Sequence, residues 1–186
     1  MNVQLAFGIS VTLGFIAWSV FSALYIWPSL RGRSRADALR PLLMVHAFRF
    51  IGLAFLVPGV VAPQLPMVFS RGAAWGDLVA CVLALLTLAT LRSKPSIGLA
   101  WIFNLWGAFD LLCAFYQANA SGLAAGQLGA AFFIPTFVVP LLLVTHGLMF
   151  WILVKPDQQP HFDSASASVT TPQSEPWRHD RGRIAS

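Results

Sequence analysis

Five polar side chains interrupt long apolar stretches of this chain, and they are the residues best able to do chemistry: His46, Arg49, Asn104, Asp110 and His146. An imidazole exchanges protons or binds a metal, a carboxyl group carries a proton, and a guanidinium group binds anions. Inside a membrane such groups are costly, and they usually face a protein interior, a cavity or a cofactor. We therefore predict that these five residues form a polar intramembrane cluster.

The fourth apolar stretch carries three of its small or polar residues at a spacing of three. Asn104, Gly107 and Asp110 fall within a wedge of about 120° on a helix, with the glycine in the middle. A small residue lets a neighbouring helix approach closely. We expect this face to point into the helix bundle, with Asp110 either neutral or bonded to a donor.

Distances along each helix predict how deep these side chains lie, measured from the membrane surface on the side of the loops rich in Lys and Arg. At about 1.5 Å per residue, His46 is about 8 Å deep, and Arg49, Asn104 and His146 are each about 12 Å deep. Asp110 is deeper, at about 21 Å. On these depths Arg49 reaches Asp110 only if the helices are offset by several ångströms.

Two further charged residues are secondary candidates for the site. Asp77 is predicted at a depth of about 25 Å, near the opposite surface. Arg71 lies in the preceding loop and is the nearer partner for that carboxylate, so we predict an Arg71–Asp77 interaction.

The elements that carry these residues are predicted from composition. The chain of 186 residues is 57% hydrophobic and 10% charged, whereas a soluble domain has about 25% charged residues. Apolar stretches of about 20 residues are long enough to cross a bilayer as helices. The predicted fold class is therefore an all-α integral membrane bundle, and its domain, residues 1–155, has five transmembrane helices at about 5–28, 41–62, 73–91, 96–117 and 128–154.

The C-terminal segment has a different composition. From residue 156 to 186, Pro, Ser, Thr and Gln dominate, and large apolar residues are scarce. Such a segment buries too little surface to offset its conformational entropy. We predict a disordered tail, in which His161 and His179 are solvated.

Basic residues predict the orientation of the bundle. Of the 12 Lys and Arg residues, ten lie in the first loop, in the third loop, or from Lys155 to the C-terminus. Positive loops stay in the cytoplasm, so the prediction is an N-terminus outside, a cytoplasmic C-terminus, and a bacterial inner membrane. Because these residues set topology, the net charge of +5 does not indicate nucleic-acid binding; the predicted partners are the lipid bilayer and a homo-oligomer or larger membrane complex.

Two interpretations of function treat the polar cluster as part of a membrane assembly or a transport pathway. In the first, which we favour from the sequence, the protein is a non-catalytic subunit or assembly component of a membrane complex. In the second, it is a small-solute or proton-linked transporter, whose pocket is lined by the cluster and by a fifth helix broken at Pro135 and Pro140.

A third interpretation is a redox protein that binds haem b, with His46 and His146 as axial ligands from two helices. No other cofactor is indicated. The two cysteines, Cys81 and Cys113, have no zinc-site spacing, and no hydrolase motif is present. We therefore name no catalytic residue and no metal site, and an enzyme is the less favoured class.

Overall fold

The computed structural model describes residues 2–93 and 96–155, so the predicted tail lies outside the described part of the chain. Within it the fold is all-helical, and five helices are long and apolar enough to cross a membrane. A short 3-10 helix, Ala125–Phe132, precedes the last of them. The five helices are α1 (Val3–Leu30), α2 (Arg35–Leu56), α3 (Met67–Thr90), α4 (Ser96–Ala120) and α5 (Ile134–Val154).

Helix α2 begins at Arg35, before the predicted start at Pro41. The Ser34 hydroxyl accepts a hydrogen bond from the Asp37 amide at 3.3 Å and donates one to the Asp37 carboxylate at 2.7 Å. This cap satisfies helix donors that otherwise lack partners, and Pro41 therefore lies inside the helix. From Ala47 to Leu56 the helix narrows to 3-10 form, which rises about 2.0 Å per residue instead of about 1.5 Å.

One end of the bundle, which we call the basic end, carries Arg31, Arg33, Arg40, Arg92 and Lys155. The opposite end, the distal end, consists of the start of α1 and the loops at 57–66 and 121–124. There the loop after α2 bonds to the 3-10 helix through Ala62 N–Gln127 O at 2.9 Å and Ala130 N–Val60 O at 2.8 Å.

The fifth span is interrupted at its distal end. Gly129 has a φ of 53°, and a Cβ there would collide with the Val60 carbonyl oxygen. Helix α5 therefore begins only at Ile134, with a π-helical turn over Ile134–Val138 that contains Pro135. Regular α-helix follows from Val139 to Val154, whereas the sequence predicts a span from about residue 128.

Two apolar clusters fill the bundle, one towards each end. The cluster nearer the basic end includes Leu43, Ala84, Phe103 and Met149, all fully buried. The cluster nearer the distal end is formed by other buried residues, among them Phe55, Phe69, Leu111, Leu128, Ile134 and Leu142. The polar residues of the candidate site lie between the two clusters.

The outer surface of the bundle is apolar. Large side chains such as Leu24, Phe48, Val68, Phe109 and Phe133 are more than half exposed. A surface of this kind is stable in hydrocarbon and not in water. The protein is therefore a multi-pass membrane protein in contact with lipid.

Helix α1 is attached mainly to α5. The Trp18 indole N–H donates to the Phe137 carbonyl oxygen at 3.0 Å, and the two aromatic rings lie 5.2 Å apart. One turn earlier, Gly14 allows close approach: an added Cβ would lie 3.2 Å from Pro140 Cγ and closer still to the Thr136 carbonyl oxygen.

We expect Gly14→Leu to separate α1 from α5 and to lower the free energy of unfolding by about 1–3 kcal/mol, because the added side chain meets backbone that cannot move aside. Denaturant titration in mixed micelles measures this change. Gly8→Leu is the matched control, since nothing lies within 4 Å of a Cβ at Gly8 on the same helix. Equal stability of the two variants would contradict the packing described.

Candidate functional site

The candidate site is built around the buried guanidinium group of Arg49, whose side chain is 0% exposed. Its Nε donates to Asp77 Oδ1 at 2.7 Å, and its Nη2 donates to Asp110 Oδ2 at 2.6 Å. Its Nη1 donates to the Gly107 carbonyl oxygen at 3.1 Å. One side chain from α2 therefore forms ion pairs with both α3 and α4.

Three glycines make room for these charged groups. A Cβ at Gly52 would collide with the Asp77 carboxylate, and a Cβ at Gly76 would collide with the Asp110 carboxylate. A Cβ at Gly107 would lie 2.8 Å from Arg49 Nη1 and within 2.7 Å of the imidazole ring of His146. The ion pairs depend on helices that approach each other without an intervening methyl group.

A buried histidine and asparagine extend the site towards α5. His146 Nδ1 lies 2.6 Å from Asn104 Oδ1, and His146 Nε2 lies 3.4 Å from Arg49 Nη1. A guanidinium group only donates hydrogen bonds, so Nε2 is the acceptor and Nδ1–H is the donor to Asn104. Asn104 Nδ2 in turn donates to the His146 carbonyl oxygen at 3.3 Å. These neighbours hold His146 as one neutral tautomer.

His46 packs beside this pair. Its Nε2 lies 3.0 Å from Thr145 Oγ1, and its Nδ1 has no hydrogen-bond partner among the described residues. The ring centroids of His46 and His146 are 4.1 Å apart, and the ring of Phe103 packs against both.

The haem interpretation does not fit this arrangement. Two axial imidazoles must bind the iron from opposite faces of the porphyrin, so the iron and the macrocycle lie between the rings. Here His46 and His146 are in direct contact at 4.1 Å, which leaves no gap for the macrocycle. His146 Nε2, the nitrogen nearest Arg49, also faces a cation.

A cavity of about 520 Å³ leads from the ion pairs to the distal end of the bundle. Asp77 and Asp110 line its inner end, and Gln4 and Asn119 line its mouth. Its walls are mostly apolar and include Phe7, Phe55, Phe69, Phe115, Leu111, Leu128 and Ile134.

At the inner end of this cavity two carboxylates share one guanidinium group. Each aspartate gives one oxygen to Arg49, and no other side chain of the described residues donates to either carboxylate. When both aspartates are ionised, the group formed by Arg49, Asp77 and Asp110 has one negative charge in excess. The side chain of Asp110 is 13% exposed, so this charge can be reached from the cavity.

The structure brings the five cluster residues together and adds Asp77 to them. The predicted Arg71–Asp77 interaction is wrong, because Asp77 pairs with Arg49 and Arg71 is exposed. Arg71 and Asp77 are six residues apart on α3, so their side chains point about 120° apart around the helix axis.

The predicted depths were misleading because α2 starts earlier than expected. Counted from Arg35 and Ser96, the first residues of α2 and α4, Arg49 and Asp110 both lie about 21 Å along their helices. Counted from Thr90, the last residue of α3, Asp77 lies about 20 Å along. No offset of the helices is needed for Arg49 to reach both carboxylates.

Sequence reasoning missed Gly52 and the cavity walls. A usable signal for Gly52 was its position three residues after Arg49, which puts both on one face of α2. For Phe55, Phe69 and Phe115 there was no such signal, since phenylalanines that line a cavity and phenylalanines that face lipid look alike in an apolar stretch.

We expect Arg49→Leu to lower the free energy of unfolding by about 3–5 kcal/mol, because it leaves two buried carboxylates without their partner. Denaturant titration in mixed micelles gives the value. Arg71→Leu, the same substitution at an exposed arginine, is the control and should leave stability nearly unchanged.

A compensating variant separates charge from packing in this experiment. Arg49→Leu combined with Asp77→Asn and Asp110→Asn removes all three charges, and it should recover most of the loss. If the single and triple variants are equally unstable, packing of the arginine side chain is responsible and the ion pairs are not.

Comparison with known proteins finds no match among curated proteins and none among solved structures. Residues 6–154, however, match a family described as "Domain of unknown function (DUF8737)". The match runs from the first turns of α1 to the last residue of α5 and contains Arg49 and every polar residue bonded to it. The chain therefore belongs to the DUF8737 family.

Proposed function

We propose that this protein is a small-solute carrier that binds its solute in the cavity whose inner end is lined by Asp77 and Asp110. The observation that carries this proposal is the cavity itself, about 520 Å³ in volume, with two carboxylates at its inner end. Sites for small molecules are typically about 300–1,000 Å³, mostly apolar, with a few polar groups that orient the ligand. This cavity has that size and composition.

Access from one end supports a carrier. The cavity extends to the distal end, whereas Leu43, Ala84, Phe103 and Met149 fill the half of the bundle nearer the basic end without exposure to solvent. A carrier needs a central site that is reached from one side at a time. The arrangement matches a state that is open at the distal end and closed at the basic end.

The excess negative charge suggests how transport is linked to protons. One negative charge remains after Arg49 pairs with both carboxylates, and such a charge is costly within a membrane. A proton or a charge on the solute neutralises it. Either route makes binding sensitive to pH, as expected of a proton-linked carrier.

For orientation we propose that the N-terminus is outside, the C-terminus is cytoplasmic, and the membrane is a bacterial inner membrane. The support is the charge asymmetry: Arg31, Arg33, Arg40, Arg92 and Lys155 lie at one end, and the basic end of a membrane protein faces the cytoplasm. In this orientation the cavity opens to the outside of the cell.

The second candidate, a non-catalytic subunit or assembly component, is favoured by the exposure of α1. From Val3 to Phe21 this helix has no buried residue, so one of its faces is free to bind another subunit or a second copy of the chain. Stoichiometric co-purification of a partner in mild detergent would favour this function over a self-sufficient carrier.

The orientation and the open cavity are tested by cysteine accessibility. In a background with Cys81→Ala and Cys113→Ala, we expect Ala114→Cys, in the cavity wall, to react with a membrane-impermeant methanethiosulfonate added outside intact cells. The reason is that only a thiol in water forms the reactive thiolate.

Leu112→Cys is the matched control, because Leu112 lies on the same helix and is 59% exposed on the outer surface. Reaction of Ala114→Cys only in inverted vesicles would reverse the orientation, and no reaction from either side would exclude an open cavity.

Solute binding is tested with a filled cavity. Purified wild-type protein and Ala114→Trp, whose indole occupies the cavity, are incubated with a metabolite extract and washed, and the retained compounds are identified by mass spectrometry. We expect at least one compound to be retained by the wild type alone and to be taken up by proteoliposomes that contain it. Identical sets of retained compounds would contradict the carrier proposal.

A further inference from the structure

We infer that the solute is a small organic monocation. Its ammonium group binds at Asp77 and Asp110, and its apolar body lies in the part of the cavity nearer the distal end. This inference rests on the proposed carrier function and names its substrate class. Two parts of the cavity support it: the inner end, which is lined by two carboxylates, and the wall, which includes several phenylalanine rings.

Charge complementarity determines the sign of the ligand. Two carboxylates line the inner end of the cavity, and one guanidinium pairs with both of them. A monocation brings this group to neutrality, whereas an anion would raise the excess to two negative charges. In a medium of low dielectric constant an uncompensated charge is far more costly than in water.

The walls favour an organic cation over a metal ion. Na⁺ and Mg²⁺ need several oxygen ligands, and away from the two carboxylates this cavity offers mostly hydrocarbon, with Gln4 and Asn119 only at its mouth. The rings of Phe7, Phe55, Phe69 and Phe115 can instead stack on an apolar body or attract an ammonium group through their faces.

Arg49 has other acceptors when a ligand binds to the carboxylates. Its Nη1 already donates to the Gly107 carbonyl oxygen at 3.1 Å and lies 3.4 Å from His146 Nε2. An ammonium group can therefore share Asp110 with the guanidinium group, because the buried guanidinium group keeps other hydrogen-bond acceptors. Arg49 acts as the internal cation with which the solute competes.

Isothermal titration calorimetry of the wild-type protein in detergent tests this with three phenyl compounds of similar size: phenethylammonium, 2-phenylethanol and 3-phenylpropionate. We expect saturable binding of phenethylammonium alone. Asp110→Asn and Asp77→Asn should each weaken it by at least about thirtyfold, because they remove one member of a buried charge pair. Asp37→Asn, the same change at an exposed residue of the basic end, should leave the affinity unchanged.

Each outcome decides between the two proposals. Equal or tighter binding of the alcohol or the carboxylate overturns the cation inference but keeps a small-solute site. Binding of none of the three overturns the cation inference, and the carrier proposal is then judged by metabolite retention. If an asparagine variant fails to fold, Ala114→Trp serves instead: it keeps every charge and must abolish phenethylammonium binding, and unchanged affinity in it would place the ligand elsewhere.

Discussion

The structure depends on one charged side chain held between two others inside the membrane. Arg49 is buried and bonds to Asp77 on α3 and Asp110 on α4. Removing these ions from water costs several kcal/mol each, and only close, directional pairing offsets that cost. A shift of either helix by one turn, about 5.4 Å, breaks an ion pair. The pairs therefore fix the register of three helices.

Apolar packing alone would not fix that register. The lipid-facing surfaces are as apolar as the interior, so burying a leucine between helices gains little over leaving it in hydrocarbon. Small residues supply what is missing: Gly52, Gly76 and Gly107 let the carboxylates and the guanidinium lie against neighbouring helices. His146 and Asn104 then extend the same contact to α5. Close approach and polar pairing reinforce each other at one level of the bundle.

The sequence predicts the five apolar helices and five residues of the polar cluster, because both follow from residue type, but it assigns Asp77 to a different partner. It does not predict which charges pair, because pairing depends on depth. Depth in turn depends on the cap at Ser34 and on the 3-10 stretch of α2, and neither is evident from hydropathy. The cavity was unpredictable for another reason: whether Phe55 or Phe69 faces lipid, core or open space depends on the arrangement of all five helices.

A purely structural role for the cluster leaves the second carboxylate unexplained. One aspartate is enough to neutralise Arg49, and a second adds a charge whose burial costs free energy. That charge is also less buried than the arginine, with Asp110 13% exposed and Arg49 0% exposed. Selection for stability alone favours a neutral residue there, such as asparagine. A carboxylate kept at the inner end of a cavity, against its cost, is better explained by a ligand or a proton that binds it during function.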